Sequence, residues 1–178
     1  PMRYGSGLAG RTLGILGFGR IGEAVAERVL PLKLKIAYHN RKKKDSPHKY
    51  FASLIDLAHN SHILLCILPG GQDTERVINR EVLKALGPTG IFINIGRGTN
   101  VDENSLIEFL AHKKIAAAGL DVYAEEPSIP KALRELDNTV LLPHIGSATI
   151  ETRDAMGDLV LKNLEAFFSN NELVTEVK

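Results

Sequence analysis

The sequence predicts an α/β fold, in which a doubly wound parallel sheet is covered by helices on both faces. Short apolar runs alternate with longer amphipathic segments along the chain, the order expected of repeated βαβ units. The run at residues 63–68 is wholly apolar, which is typical of a strand buried on both faces. No break in composition marks a second domain. We therefore predict one three-layer αβα domain over residues 1–178, with its core at about 8–168 and residues 1–7 as a remnant of an interdomain connection.

Each element has its own local signal. Pro31 ends the first helix, Ser53 can cap a short one, and the last helix repeats apolar residues every three or four positions, from Met156 to Phe167. The patterns predict strands at residues 12–16, 34–38, 63–68, 91–95, 115–120 and 140–142. They predict helices at residues 20–30, 53–57, 80–86, 102–112 and 149–168.

Composition excludes several classes of protein. A formal net charge of +1 gives no general attraction to nucleic acid or to an anionic membrane, and the longest apolar run is far shorter than the ~20 residues of a membrane span. The one cysteine, Cys66, cannot form an internal disulfide, so we expect a buried thiol in a cytoplasmic protein. No cluster of cysteine and histidine suggests a metal.

A glycine-rich turn follows the first predicted strand and opens the first helix. It reads Gly17-Phe18-Gly19-Arg20-Ile21-Gly22, the G-x-G-x-x-G pattern of the Rossmann dinucleotide-binding fold. The first glycine permits the tight turn, the second lets the backbone approach a pyrophosphate, and the third lets the helix pack against the strand. The amides at the helix start then face the anion.

The end of the second strand predicts which dinucleotide is bound. Enzymes that use NAD carry an acidic residue there to hold the ribose hydroxyls, whereas this chain has His39, Asn40 and Arg41, followed by lysines. An arginine binds a 2′-phosphate through charge-assisted hydrogen bonds. We therefore expect NADP at Asn40 and Arg41, with NAD as the alternative, and we expect Lys43 and Lys44 to be solvated.

Charged residues follow three other strands, at the carboxyl ends of the strands, where ligands bind in such folds. Arg97 follows the fourth predicted strand, Asp121, Glu125 and Glu126 follow the fifth, and His144 follows the sixth. An arginine can bind and polarise a keto acid, and a histidine held by a carboxylate can supply the proton as hydride arrives. Each residue alone could be structural, but their common placement favours a reductase of keto acids.

These residues lie in motifs that resemble the cofactor-binding domain of the D-isomer-specific 2-hydroxyacid dehydrogenases. The resemblance covers residues 8–168, and its NADP-like region is similar to that of the glyoxylate/hydroxypyruvate reductases. The matching stretches are residues 13–22, 94–98, 101–103, 118–122, 126–127 and 143–149.

The resemblance implies a role for each matched residue. Arg97 would bind substrate, His144 would be the acid/base, and Glu126, not Glu125, would be the partner of His144. Asp121 would help to hold the nicotinamide. With the glycine-rich turn, the predicted cofactor site comprises Gly17, Phe18, Gly19, Arg20, Ile21, Asn40, Arg41, Leu68, Pro69, Thr74, Ile95, Gly96, Arg97, Asp121, His144 and Gly146.

The family also has a second domain that supplies half of the substrate cleft, and this sequence lacks it. We therefore expect a segment of a larger enzyme, which binds its cofactor without efficient turnover when isolated and forms a homodimer through this domain. Its substrate is expected to be a small 2-keto acid. Two alternatives stay open: a non-catalytic, corepressor-like module that senses dinucleotides, and an NAD-dependent dehydrogenase of the phosphoglycerate or formate type.

Overall fold

The computed structural model describes residues 7–176, so all but the last residue of the expected interdomain remnant lies outside the described residues. The chain divides into two compact units, Pro1–Pro143 and His144–Lys178. Across residues 7–176, no helix combines the length and the apolar character that crossing a bilayer requires.

The first unit is built on a seven-stranded sheet. Adjacent strands pair in parallel throughout, in the order β3-β2-β1-β4-β5-β6-β7. The strands are β1 (Thr12–Leu16), β2 (Lys35–His39), β3 (Lys49–Tyr50), β4 (Ile63–Cys66), β5 (Ile91–Asn94), β6 (Ala117–Leu120) and β7 (Thr139–Leu141). The parallel sheet and the Rossmann-type class predicted from the sequence are confirmed.

Helices connect the strands of the first unit. They are α1 (Arg20–Val29), α2 (Leu54–His59), α3 (Arg80–Leu86), α4 (Glu103–Ala111) and α5 (Lys131–Arg134). The Ser53 side chain accepts a hydrogen bond from the Asp56 amide at the start of α2, which confirms the predicted cap. Asn79 and Asp102 cap α3 and α4 in the same way. Each cap satisfies amides that the first helical turn leaves without a partner.

Strand side chains alternate between two hydrophobic cores, one on each face of the sheet. Ile63 and Leu65 of β4 belong to one core, which also contains Ala26 of α1. Leu64 and Cys66 belong to the other, which is covered by α2, α3 and α4. Because successive strand residues point to opposite faces, an unbroken apolar run fills both cores. This confirms the three-layer arrangement.

The predicted element boundaries differ from the observed ones by at most two residues. The first helix ends at Val29 rather than Leu30, because Pro31 lies in the 3₁₀ turn Leu30–Leu32 that follows it. The sequence analysis missed β3 and α5. β3 has only two residues and α5 only four, which is too short for either to show a period.

The second unit contains α6 (Ile150–Asn170), which Thr149 caps through the Thr152 amide. Its apolar stripe lies about half exposed at Met156, Val160, Leu164 and Phe167. Within this unit the stripe and Leu173 line a groove of 510 Å³. The predicted helix is confirmed.

The buried thiol of Cys66 gives a test of the fold. Cys66 is fully buried at the end of β4. Burial raises the pKa of its thiol to about 11. At pH 8 roughly one thiol in a thousand would then be ionised. We expect the folded chain to react with Ellman's reagent at least ~100-fold more slowly than the chain unfolded in guanidinium, and the folded-state rate to rise as the pH approaches 11. Equal rates in the two states would contradict this environment.

Candidate functional site

A cleft opens where the sheet changes its direction of winding. The chain passes from β1 outward to β2 and β3, and then returns to place β4 on the other side of β1. Ligands bind at such a switch point in open α/β sheets. The cleft has a volume of 1260 Å³ and lies at the carboxyl ends of these strands. It is lined by Leu16, Gly17, Phe18, Gly19, His39, Asn40, Arg41, Lys42, Lys44, Leu54, Ile67, Leu68, Pro69, Gly70, Gly71, Gln72, Asp73, Thr74 and Val77.

The glycine-rich turn forms one wall of the cleft. Gly17 has a φ of 96°, and a Cβ there would lie 2.9 Å from the carbonyl oxygen of Ile67. A Cβ on Gly22 would lie 2.9 Å from the carbonyl oxygen of Gly17, so α1 can pack this closely only with glycine. The first turn of α1 begins at Arg20, and amides at that position have no acceptor within their own helix. Amides of this kind can bind an anion such as a pyrophosphate.

The end of β2 forms the basic part of the cleft. Arg41 and Lys42 line it and are exposed, and no acidic residue occurs from His39 to Lys44. The expectation that Lys44 is solvated holds only in part, because its side chain is 38% exposed but is also paired. Lys44 pairs with Glu23 of α1, and its backbone N–H and C=O both bond to the Tyr38 hydroxyl at 3.0 Å.

The loop after β4 forms the opposite wall. Leu68, Pro69 and Thr74 line the cleft there. The Thr74 hydroxyl is within hydrogen-bond distance of two carbonyl oxygens of this loop, 2.7 Å from that of Pro69 and 3.1 Å from that of Gly71. Thr74 therefore stabilises the wall on which a cofactor would rest.

Arg97 follows β5 and is held by close backbone packing on both sides. A Cβ on Gly96 would lie 2.6 Å from the carbonyl oxygen of Leu68, and a Cβ on Gly98 would lie 1.9 Å from the carbonyl group of Tyr123. Glycine is thus required on each side of the arginine. The Arg97 side chain is exposed, and its Nη1 donates to the Gly96 carbonyl oxygen at 2.7 Å. The guanidinium is therefore presented to solvent from a fixed backbone.

Two buried asparagines fix the backbone of Arg97, and the sequence analysis gave neither of them a role. The Asn94 amide donates to the Arg97 carbonyl oxygen at 2.9 Å. Asn100 accepts from the Arg97 N–H at 2.9 Å, and its own amide donates to the carbonyl oxygens of Pro69 and Thr74 at 3.0 and 3.2 Å. Asn100 thus ties the arginine turn to the cleft wall. For Asn94 the available signal was a polar residue within the apolar stretch at 91–95, since such residues are buried only when hydrogen-bonded. Asn100 lies in a polar turn, and the sequence carries no such signal for it.

The loop after β6 carries the predicted carboxylates. Glu126 is exposed, and its Oε1 accepts from the Tyr123 N–H at 3.0 Å. Asp121 is buried, and its N–H donates to the Asn94 carbonyl oxygen at 3.0 Å. The Tyr123 hydroxyl donates to the Leu142 carbonyl oxygen at 2.9 Å. Burial and the nearby charge of Asp121 raise the pKa of Tyr123, so this side chain stays a neutral donor.

His144 and Gly146 lie in the second unit. His144 comes three residues after the end of β7, and its side chain is exposed. Its backbone is left-handed, with a φ of 55°. Lys33, Arg76, Lys113 and Asn171 adopt the same region, so this conformation by itself assigns His144 no role.

The structure brings together part of the predicted cofactor site. Gly17, Phe18, Gly19, Asn40, Arg41, Leu68, Pro69 and Thr74 line the cleft. Arg20, Ile21, Ile95, Gly96, Arg97 and Asp121 lie in the same unit but are not among the residues that line it. Over residues 7–176, no group of three or more histidine, cysteine or acidic side chains is arranged to hold a metal ion.

Comparison with known proteins identifies a family. Residues 1–146 match the model of the D-isomer specific 2-hydroxyacid dehydrogenase, NAD binding domain. Hydroxyphenylpyruvate reductase from Plectranthus scutellarioides is 49% identical over 170 residues, which cover 95% of this chain and 54% of that protein. A glyoxylate/hydroxypyruvate reductase from Arabidopsis thaliana is 47% identical with the same coverage. The chain thus spans about half the length of the curated relatives it matches.

A solved structure shares the fold closely. It is that of an NADPH-dependent glyoxylate/hydroxypyruvate reductase from Sinorhizobium meliloti in complex with NADP and malonate. The TM-score is 0.93 and the sequence identity 46%, over 96% of this chain and 54% of that one.

The hydrogen bonds of Asn100 predict that removing its buried side-chain amide lowers the stability of the fold. Replacing Asn100 with alanine removes the side-chain partner of the Arg97 N–H and of the Thr74 carbonyl oxygen, whereas the Pro69 carbonyl oxygen keeps the Thr74 hydroxyl as a donor. We expect the free energy of unfolding to fall by about 1–3 kcal/mol, the usual cost of orphaned buried polar groups. Asn60→Ala is the matched control, because Asn60 is exposed and donates only to a carbonyl of its own helix. Urea unfolding of both variants measures the difference, and equal losses would contradict the assigned network.

Proposed function

Because this chain belongs to the D-isomer-specific 2-hydroxyacid dehydrogenase family, we propose that it binds NADPH and forms the cofactor-binding part of a reductase for small 2-keto acids. The observation that carries the proposal is the cleft at the switch point, whose β2 end presents Arg41 and Lys42 without a carboxylate. The relatives include reductases of glyoxylate and hydroxypyruvate, and the product would be the D-2-hydroxy acid.

The residues of the cleft fit a dinucleotide with a 2′-phosphate. The backbone of Gly17 and the amides that open α1 would face the pyrophosphate. Arg41 would bind the 2′-phosphate, since a guanidinium forms paired, charge-assisted hydrogen bonds with phosphate oxygens. Leu68, Pro69 and Thr74 would line the path towards the nicotinamide, which Asp121 would help to hold. The NADP bound by the Sinorhizobium meliloti relative supports this choice over NAD.

Arg97, Glu126 and His144 would perform the chemistry of the protein. When bound, the cofactor supplies a hydride to the keto carbon. Arg97 would bind the substrate carboxylate and draw charge toward the carbonyl oxygen. His144 would donate a proton to that oxygen, and Glu126 would hold the imidazole in the required tautomer and favour its protonated form. The ketone thereby gains one hydride and one proton and becomes an alcohol.

Two further expectations belong to the same proposal. We expect the protein to form a homodimer through this domain and to act in the cytoplasm, where its lone cysteine stays reduced. Size-exclusion chromatography with light scattering tests the dimer.

Replacing Arg41 tests the choice of cofactor. Arg41→Ala removes a charge-assisted contact that only a 2′-phosphate can use, so we expect the dissociation constant for NADPH to rise by ~10–100-fold and that for NADH to change by less than ~2-fold. Lys43→Ala is the matched control, because Lys43 is exposed and does not line the cleft. Titration of the 178-residue chain by nicotinamide fluorescence measures both constants. Equal weakening for both cofactors would refute the 2′-phosphate assignment.

Replacing His144 tests the reaction. In the complete enzyme, His144→Ala should lower kcat with glyoxylate or hydroxypyruvate by ~10²–10⁴-fold, the usual loss when a general acid is removed, with little change in NADPH affinity. His112→Ala is the control, because His112 is an exposed histidine at the end of α4. Turnover at the wild-type rate would remove His144 from the mechanism.

A further inference from the structure

The side chain of Asn40 is hydrogen-bonded on both sides to the backbone of one residue of the glycine-rich turn, Phe18. Its Oδ1 accepts from the Phe18 N–H at 2.7 Å, and its Nδ2 donates to the Phe18 carbonyl oxygen at 3.0 Å. The two residues are 22 positions apart in the sequence. Both polar ends of the Asn40 amide are therefore engaged by the turn itself.

This contact continues the pairing of β1 with β2 beyond the last strand residues. The two strands pair up to Leu16 and His39, and the Gly17 N–H still donates to the His39 carbonyl oxygen at 3.1 Å. At the next position the turn leaves the sheet, so no backbone of β2 can reach it. The Asn40 amide, which carries the same donor and acceptor as a peptide group, completes the ladder there.

Neighbouring groups hold Asn40 in this position. The Tyr50 hydroxyl donates to the backbone carbonyl oxygen of Asn40 at 3.2 Å. Phe18 is buried and stacks on Tyr38, with the ring centroids 4.7 Å apart. The two hydrogen bonds between the Asn40 side chain and the Phe18 backbone, here called the clamp, thus join the end of β2 to a turn that core packing already holds in place.

The clamp also decides which amides remain for a phosphate. The Phe18 N–H is used by Asn40, and the Gly19 N–H donates to the Gly17 carbonyl oxygen at 2.9 Å. The donors left at the start of α1 are those of its first turn, beginning with Arg20. The amides of this first helical turn can bind a pyrophosphate only while the glycine-rich turn keeps its conformation.

We infer that Asn40 is a positioning residue, whose amide clamps the backbone of Phe18 and so holds the pyrophosphate-binding turn in its conformation against the end of β2. The inference rests on the proposed binding of NADPH, and it assigns Asn40 no direct contact with the 2′-phosphate. An aspartate could accept from the Phe18 N–H but could not donate to its carbonyl oxygen. The two-point clamp therefore requires the amide.

The test compares two cofactors that share a pyrophosphate but differ in the 2′-phosphate. Asn40→Ala should weaken NADPH and NADH binding to the 178-residue chain by the same factor, about tenfold for two lost hydrogen bonds. Arg41→Ala should weaken NADPH alone. In hydrogen–deuterium exchange followed by NMR, the backbone amide hydrogen of Phe18 should be protected in the wild-type chain. It should exchange at least ~10-fold faster in Asn40→Ala.

A second variant covers the case in which Asn40→Ala does not fold. Tyr50→Phe removes the hydroxyl that holds Asn40 and leaves the ring, so it should weaken both cofactors equally by ~2–5-fold. Lys43→Ala should change neither constant. Thermal unfolding followed by circular dichroism checks that each variant is folded.

The possible outcomes separate this inference from the proposed function. Loss of NADPH binding alone in Asn40→Ala, or no loss for either cofactor, would overturn the clamp while the wild-type chain still binds NADPH. A wild-type chain that binds neither cofactor would overturn the proposed function itself. Equal losses together with faster exchange of the Phe18 amide would establish Asn40 as a positioning residue.

Discussion

The close approach of backbone to backbone at the carboxyl ends of β1, β4 and β5 is the constraint on which the rest of this structure depends. A Cβ at Gly17 would meet the Ile67 carbonyl at 2.9 Å, and a Cβ at Gly96 would meet the Leu68 carbonyl at 2.6 Å. Glycine at these points lets three loops converge at the switch point of the sheet. The cleft and the Arg97 turn both follow from that convergence.

Side-chain amides hold these loops where strand pairing ends. Asn40 joins the glycine-rich turn to the end of β2, and Asn100 joins the Arg97 turn to the loop after β4. Asn94 holds the other side of Arg97. A loop that follows the end of a strand has backbone N–H and C=O groups that cannot pair within the sheet. Each of these groups costs free energy if it is buried without a hydrogen-bond partner. Asparagine supplies a donor and an acceptor in one short side chain, so three such residues hold the glycine-rich turn, the Arg97 turn and the loop after β4.

The predictable part of the fold was set by local patterns. The strand at Thr12–Leu16 and the helix at Arg80–Leu86 have the predicted bounds, because apolar periodicity and capping residues are signals within a few neighbouring positions. The short strand Lys49–Tyr50 could not be found in this way, since its pairing with β2 comes from a distant segment. For the same reason Lys44 was expected in solvent, although it pairs with Glu23 on a different element.

The sequence by itself determined the fold class, the family resemblance and the identity of the charged residues at the strand ends. Glycine spacing, strand-end position and residue chemistry are all properties of the linear chain. Only the tertiary structure decided how the site is held: the Asn40 side chain bonds to the backbone of Phe18, and Asn100 connects Arg97 to Pro69. Hydrogen bonds between residues 22 or 31 positions apart depend on how the strands pair, and no local pattern in the chain records them.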